Sequence, residues 1–335
     1  MPEFGFPAQY RQATLSRIIS DLKDRSDDAR VETVTERFAD VTGALDGRVN
    51  ELFQIEKSLT DLRAYGEVIA LSESRSRVMQ EALDNVQTAS QNLTDTSDVL
   101  RTNGTTRDLQ TLSNQARGEL DTIVSQLNIS FGGRTLFAGD EAGAAATVPA
   151  EQFLTDSTPF LEGAATAAGA YANLQAEFGV TGGLFANTFY LGGDGNAPRA
   201  EVAPGEVVDY TVRANEDPIR NVLFNVVVLA SAYDLTNNIP ADQRRELVEF
   251  ASDGLRNAVS DTITVQARLG AAEARIATVK ARNIASDASL TIAFNDLAGA
   301  DAYDAAVELT QLEAQLEVAF ATTSRLASLS LASFR

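Results

Sequence analysis

Residues 302–334 read AYDAAVELTQLEAQLEVAFATTSRLASLSLASF, and this stretch decides the fold class. Leu309, Leu312, Leu316, Ala319, Thr323, Leu326 and Ser330 follow one another at alternating steps of three and four. That rhythm keeps one apolar stripe along one side of an α-helix and is the spacing of a coiled-coil seam. Charged, amide and small residues occupy most positions between. So narrow a stripe cannot enclose a core by itself and needs a partner helix. Leu329, Leu331 and Phe334 add apolar surface at the chain end.

Working outward, the same spacing recurs. Leu45, Val49, Leu52, Leu59, Leu62 and Ile69 fall at steps of three, four or seven, with Ile55 as an apolar flank. Leu83, Val86, Leu93 and Leu100 continue the seam, which predicts helix from about residue 41 to residue 100. Asn103-Gly104 is a stop, and Thr105 or Thr106 can cap the next helix, which carries Leu109, Leu112, Ala116, Leu120, Ile123 and Leu127. In the second half, Pro218 suits a first helical turn. The run IRNVLFNVVVLASAYDL after it is apolar on most sides and is expected to be well buried. A second long helical region is expected over about residues 241–287, with a possible break at Gly299. Leu15, Ile18, Ile19 and Leu22 form an apolar stretch near the N-terminus.

Between the helical halves the composition turns to Ala, Gly, Thr and Pro. PAEQFLTDSTPFLEG and AGAYANLQAEFG read as short helices. Phe185/Asn187/Phe189 and Val208/Tyr210/Val212 alternate with their neighbours at period two, which predicts strands. The expected architecture is therefore mainly α. Long antiparallel helices from both chain halves form a coiled-coil-like rod, with a small α/β insert in the middle. The boundaries expected are 1–40 and 290–335 for terminal coiled-coil and assembly segments, 41–138 and 218–289 for the rod, and 139–217 for the insert.

Composition narrows the chemistry. The 335 residues include no His and no Cys, which removes imidazole bases, thiol nucleophiles, thiolate metal sites and disulfides. The formal charge is −20, and Arg residues are scattered among acids, so neither nucleic acid nor an anionic membrane is an expected partner. No apolar run reaches the length of a membrane span. The first residues lack an apolar stretch of signal-peptide length, so export, if it occurs, is expected to use another route.

Three groupings invite a chemical reading. SQLNISFGGRTLFAGDEAGAAAT, residues 125–147, holds Gly132-Gly133-Arg134 and Asp140-Glu141. It follows a helix rather than a strand and matches neither phosphate-loop pattern, so a turn at a helix end is the better reading, with the two acids solvated. Asp194, Asp209, Glu216 and Asp217 carry oxygens that could hold a cation, but without EF-hand spacing solvated loop acids are preferred. A carboxylate pair for glycoside hydrolysis cannot be selected among so many acids. No catalytic, metal or cofactor residue is expected. Apolar residues at both chain ends are instead suited to burial on polymerisation. The candidate assembly residues are Leu15, Ile18, Ile19, Leu22, Leu309, Leu312, Leu316, Leu326, Leu329, Leu331 and Phe334.

The sequence from Ala274 to Phe334 resembles the C-terminal region of the flagellin family, in particular its hook-filament junction branch. Asn295-Asp296-Leu297, Ala300-Asp301-Ala302-Tyr303, Glu308-Leu309-Thr310 and Arg325-Leu326 occupy the family's characteristic places. ISFGGRTLFAGD is similar to the family's N-x-x-x-x-G-x-x-LFAG, and the segment from Phe38-Ala39-Asp40-Val41 onward also resembles it. The departure is LKDRSDDARVETVTERFADV, more acidic than the family's usual opening. The resemblance implies a non-enzymatic structural subunit of the bacterial flagellum, extracellular after passage through the flagellar secretion apparatus. It implies four kinds of partner: copies of itself, a hook-associated protein on the hook side, flagellin on the filament side, and an export chaperone. Filament flagellin shares this architecture and is the near alternative. A helical signalling or adaptor rod is the alternative from another class.

Overall fold

The structure is a computed structural model that describes residues 8–332 except 46, 104, 142, 180, 196–198 and 236–238; the side chains of 8, 9, 11, 12, 101–103 and 326–332 also lie outside the description. In chain order the elements begin with α1 (Ala8–Thr35), α2 (Val41–Ala44), α3 (Val49–Asn103) and α4 (Thr106–Leu127). The hairpin β1 (Ser130–Phe131) and β2 (Arg134–Thr135) follows, then α5 (Ala150–Glu162), α6 (Ala167–Gly179) and a π-helical turn at Phe185–Phe189. A second hairpin, β3 (Arg199–Ala203) and β4 (Glu206–Asp209), precedes α7 (Asp217–Ser231), α8 (Ala241–Ala298) and α9 (Ala302–Ala332). The fold is mainly α with a small α/β insert, as the sequence predicts, and the described residues hold two small antiparallel sheets. The chain divides into two units, residues 1–64 with 283–335 and residues 65–282.

In the larger unit α3 and α8 run antiparallel. Lys280 Nζ meets Glu73 at 2.6 Å, Gln80 Nε2 donates to the Gln266 carbonyl at 3.0 Å, and Arg256 pairs with Asp98. One continuous core joins Leu83, Val86 and Leu93 of α3, Leu112 and Leu120 of α4, the apolar residues of α7 from Ile219 to Ala230, and Leu247, Leu255 and Ile276 of α8. The insert's apolar residues belong to that same core, with Phe153, Phe178, Phe185 and Phe189 at its centre and the Phe153 and Phe189 rings 4.3 Å apart. α7 can be apolar on most sides because α4, α5 and α6 all pack on it.

The start of α4 shows how local chemistry sets a boundary. Thr105 accepts from the Asp108 N–H, and the Asp108 carboxylate accepts from the Thr105 N–H at 2.7 Å, a reciprocal capping box. Those bonds, foremost the one from the Thr105 backbone, hold the Asp108 carboxyl below its ordinary value. Thr105→Ala should lower unfolding stability by about 1 kcal/mol, read as a shift in denaturant midpoint at unchanged slope. An unchanged midpoint would show that the box contributes nothing.

Three local expectations are corrected. Residues 185–189 are not a strand. Tyr190 N–H donates to the Phe185 carbonyl at 2.9 Å, a π-helical bond, and Phe185 and Phe189 point together into the aromatic cluster. Period two would have buried Asn187 with them. A helical turn instead leaves Asn187 exposed, with its Nδ2 donating to the Gly182 carbonyl. The helix expected from residue 41 is broken between α2 and α3, where Gly47 takes φ +93°, a conformation that side chains resist. The second long helix runs on past residue 287 and ends only at Ala298.

In the smaller unit Leu45 at the end of α2 and Leu52 of α3 pack with Ala298 at the end of α8, with Phe294 beside them and the Arg37 guanidinium 5.1 Å over its ring. Asn283 Nδ2 donates to the Leu62 carbonyl at 3.0 Å. Just beyond, Phe38 N–H donates to the Ala298 carbonyl (3.1 Å) and Ala300 N–H to the Glu36 carbonyl (3.0 Å). Asp301 then caps α9, accepting from the Tyr303 N–H at 2.8 Å. These ties hold the end of α1 and the start of α9 side by side, so the two helices pack antiparallel.

Candidate assembly surface

The inner face of α1 consists of Leu15, Ile19, Leu22, Ser26, Ala29 and Thr33, at steps of four and three. The inner face of α9 is Ala305, Leu309, Leu312, Leu316, Ala319 and Thr323, at the same steps. They interlock. Leu22, Ala29 and Leu312 are buried together, with Leu309, Leu316 and Ala319 packed around them. Arg25 meets Glu308 at 2.8 Å and Arg30 meets Glu313 at 3.3 Å along the edges. Both pairs are about half exposed, so each is worth roughly 0–1 kcal/mol and contributes to register more than to stability.

The structure thus brings Leu22, Leu309, Leu312 and Leu316 together within one chain. Leu15 and Ile19 lie half-buried on the same stripe, while Ile18 sits outside the seam and is 47% exposed. The side chains of Leu326, Leu329 and Leu331, and Phe334 as a whole, lie outside the described residues.

A second stripe on α9 was missed by the sequence reading. Tyr303, Val307, Thr310, Ala314, Val318 and Ala321 again follow at steps of four and three, but on the side of the helix away from α1. Tyr303 is 76% and Val318 66% exposed, and no residue of the stripe is buried. The signal was present in the sequence as the same rhythm, offset from the leucines and carried by weaker residues. On α1 the corresponding outer side carries Asp21, Asp24 and Asp28, so the two outer faces differ in kind.

The groups that invited a chemical reading are engaged in structure. Gly132 and Gly133 take φ +60° and +74° as the turn of the β1–β2 hairpin, the paired left-handed conformation that tight hairpins favour. The chain then folds back, burying Leu136, Phe137 and Ala138. Asp140 is not merely solvated. Its Oδ1 accepts from the Gly195 N–H at 3.0 Å, and it lies so close to Gly193 and Gly195 that a Cβ on either would fall about on its carboxylate. Glu141 stays exposed.

Asp194, Asp209 and Glu216 line an open cleft of about 520 Å³ together with Arg199, Arg213 and Arg268. Asp194 accepts from Asn215 Nδ2 at 2.6 Å and Asp209 from the Thr211 N–H at 3.0 Å. Glu216 accepts from Arg268 at 2.7 Å, and Asp217 pairs with Arg220 at 2.5 Å outside that lining. Among the described residues no group of three or more acids is arranged to hold a metal ion, and no helix is long and apolar enough to cross a membrane.

Comparison with known proteins bears on the tail and on the fold. Residues 253–334 match the family model for the bacterial flagellin C-terminal helical region. No curated protein matches the chain. Among solved structures, the chain is similar to a putative flagellar hook-associated protein from Vibrio parahaemolyticus, at 12% identity and a TM-score of 0.53, over 73% of this chain and 95% of that one. It is also similar to FlgL from Bacillus cereus, at 16% identity and a TM-score of 0.45, over 71% of this chain and 99% of that one. The first of these likenesses is one of fold. The flagellin resemblance read from the tail is therefore shown over the C-terminal region, which includes all of α9 up to residue 332.

Proposed function

We propose that this chain, whose residues 253–334 match the flagellin C-terminal helical region, is a structural subunit of the bacterial flagellum that joins hook to filament. The observation that carries the reading is the outer stripe of α9. It is a second coiled-coil seam that the protomer leaves bare, on the segment that matches the family. A helix with apolar stripes on opposite sides can pack on its own partner helix and on a neighbouring subunit at once.

Assembly and ordering are coupled. The α1–α9 pair joins helices of 28 and 31 residues through a cluster that, among the described residues, holds three buried apolar side chains. Ordering a residue costs about 1–2 kcal/mol of backbone entropy, so so thin a seam leaves the pair dependent on burial between subunits. Loosely held ends suit transport through a narrow channel before they order on a neighbour. The partners are further copies of this chain, a hook-associated protein below, flagellin above, and an export chaperone that covers the apolar stripes before assembly. The protein works by packing and not by catalysis.

Immunogold labelling of purified flagella tests the reading. Label confined to the hook-filament junction is the expected result. Label along the whole filament would identify a flagellin, and a stable cytoplasmic dimer with no label on flagella would identify an adaptor.

A further inference from the structure

Arg268, Arg275 and Arg282 lie seven residues apart on α8 and so share one side of the helix. Each reaches a carboxylate of the insert. Arg268 binds both oxygens of Glu216, at 2.8 and 2.7 Å. Arg275 and Arg282 both bind Glu206, the first through Nε and a terminal nitrogen at 3.4 Å each, the second more closely. Glu206 stands at the tip of the β3–β4 hairpin, next to the Pro204-Gly205 turn, in which Gly205 takes φ +70°.

Base and tip of this hairpin are held by different forces. Ala200, Val202 and Val208 are buried in the core of the larger unit. At the tip, Val207 is 43% exposed and Ala203 only partly buried. The turn closes on itself through the Gly205 N–H to Glu201 Oε1, at 3.1 Å. The tie from the tip to α8 is ionic, and both arginine side chains are 57% exposed, where salt screens them.

We infer that residues 203–207 form an ionic flap, seated on α8 by Glu206 and lifted when the charges on Glu206, Arg275 and Arg282 are neutralised or screened. The charged groups around Glu206 are Arg275 and Arg282 of α8 and Glu201 of its own hairpin. Lys280 of α8 is paired elsewhere, with Glu73. The flap opens while the base stays seated, because burial at the base does not depend on charge. Acid opens it as well as salt. Arg282 first, and then Arg275, hold the Glu206 carboxyl below its ordinary value of 4.5, with partial burial opposing them. A carboxyl lowered in the folded state holds the flap fully above pH 4.5 and loses it as pH falls through the folded value.

Amide hydrogen exchange at neutral pH tests this on the full chain. In Glu206→Gln the amides of residues 203 and 205–207 should exchange about fivefold faster, with those of α8 around residues 268–282 unchanged. The wild-type chain in high salt should show the same local change and serves if the variant folds poorly. Unchanged protection of the tip in salt or in the variant overturns the flap. So does a loss of protection that spreads through α8, because the tie would then support the whole unit. A failed flap leaves the assembly reading untouched, since that reading rests on α9.

Discussion

Val318→Asp leaves the α1–α9 pair folded and stops assembly. Val318 is 66% exposed and lies on the outer stripe, away from Leu312 and its partners. A surface change of this kind alters monomer stability by no more than about 0.5 kcal/mol. In the proposed assembly the same position would be buried against a neighbour, where an unpaired carboxylate costs several kcal/mol. Every 1.4 kcal/mol is tenfold in affinity, so the concentration needed for polymerisation should rise about a hundredfold or more. Gln315→Asp is the control. It adds the same charge on the same helix, at an exposed position that belongs to neither stripe. Sedimentation of polymer against protein concentration reads both variants, with circular dichroism to confirm the fold. Equal loss in the two variants would mean that net charge, rather than the stripe, governs assembly. Normal polymerisation of Val318→Asp would remove the outer stripe from the interface.

The physics behind that stripe also explains what could be read from the sequence. Leucines at steps of three and four announce themselves, and the seam through Leu309, Leu312 and Leu316 is where the periodicity puts it. So are the stop before Thr105 and its cap, because a Thr with Asp three residues on has a local hydrogen-bond solution whatever surrounds it. The outer stripe was harder to see because Tyr303, Thr310 and Ala314 carry little apolar weight each. Only the observed burial separates a filled stripe from a bare one.

Other features depend on neighbours far away in sequence. Phe185, Asn187 and Phe189 fit period two on paper, but the aromatic cluster of Phe153 and Phe178 draws both phenylalanines to one side and a π-turn supplies the geometry. Asp140 gains its partner 55 residues later, on a glycine loop that no local pattern connects to it. The arginine ladder on α8 is visible as a heptad of Arg, yet its carboxylates come from the start of β4 and from the residue before α7. Packing partners, not propensities, decide these sites.

Gly254 is the sharpest example of a requirement set from a distance, and its substitution should be the most damaging to stability. It lies inside α8, where Gly costs about 1 kcal/mol relative to Ala, so a local reading would replace it. A Cβ there would fall 2.4 Å from Asn225 Oδ1 and 2.4 Å from the Tyr171 hydroxyl. Those two atoms are hydrogen-bonded to each other at 2.8 Å. Neither has room to retreat. Asn225 is 2% exposed and donates to the Asn221 carbonyl at 2.7 Å. The Tyr171 ring is packed edge-on to Phe224 at 4.8 Å and lies 5.9 Å from Phe250. Burial, with the Asp253 carboxylate adding to it, pushes the Tyr171 phenol up to about 12, so it remains a donor throughout the neutral range. Gly254→Val must therefore break the pair as well as crowd the helix. Leaving a buried polar group unpaired costs about 1–3 kcal/mol and overpacking about 1–3 more. A total of about 3 kcal/mol would lower the melting temperature by roughly 10 °C for a unit of this size. Tyr171→Phe removes one of the two obstructing oxygens and the bond itself, so Gly254→Val should cost measurably less in that background. Additive losses in the double variant, or an unchanged melting temperature in the single one, would show that α8 moves aside and that Gly254 is not held by this contact.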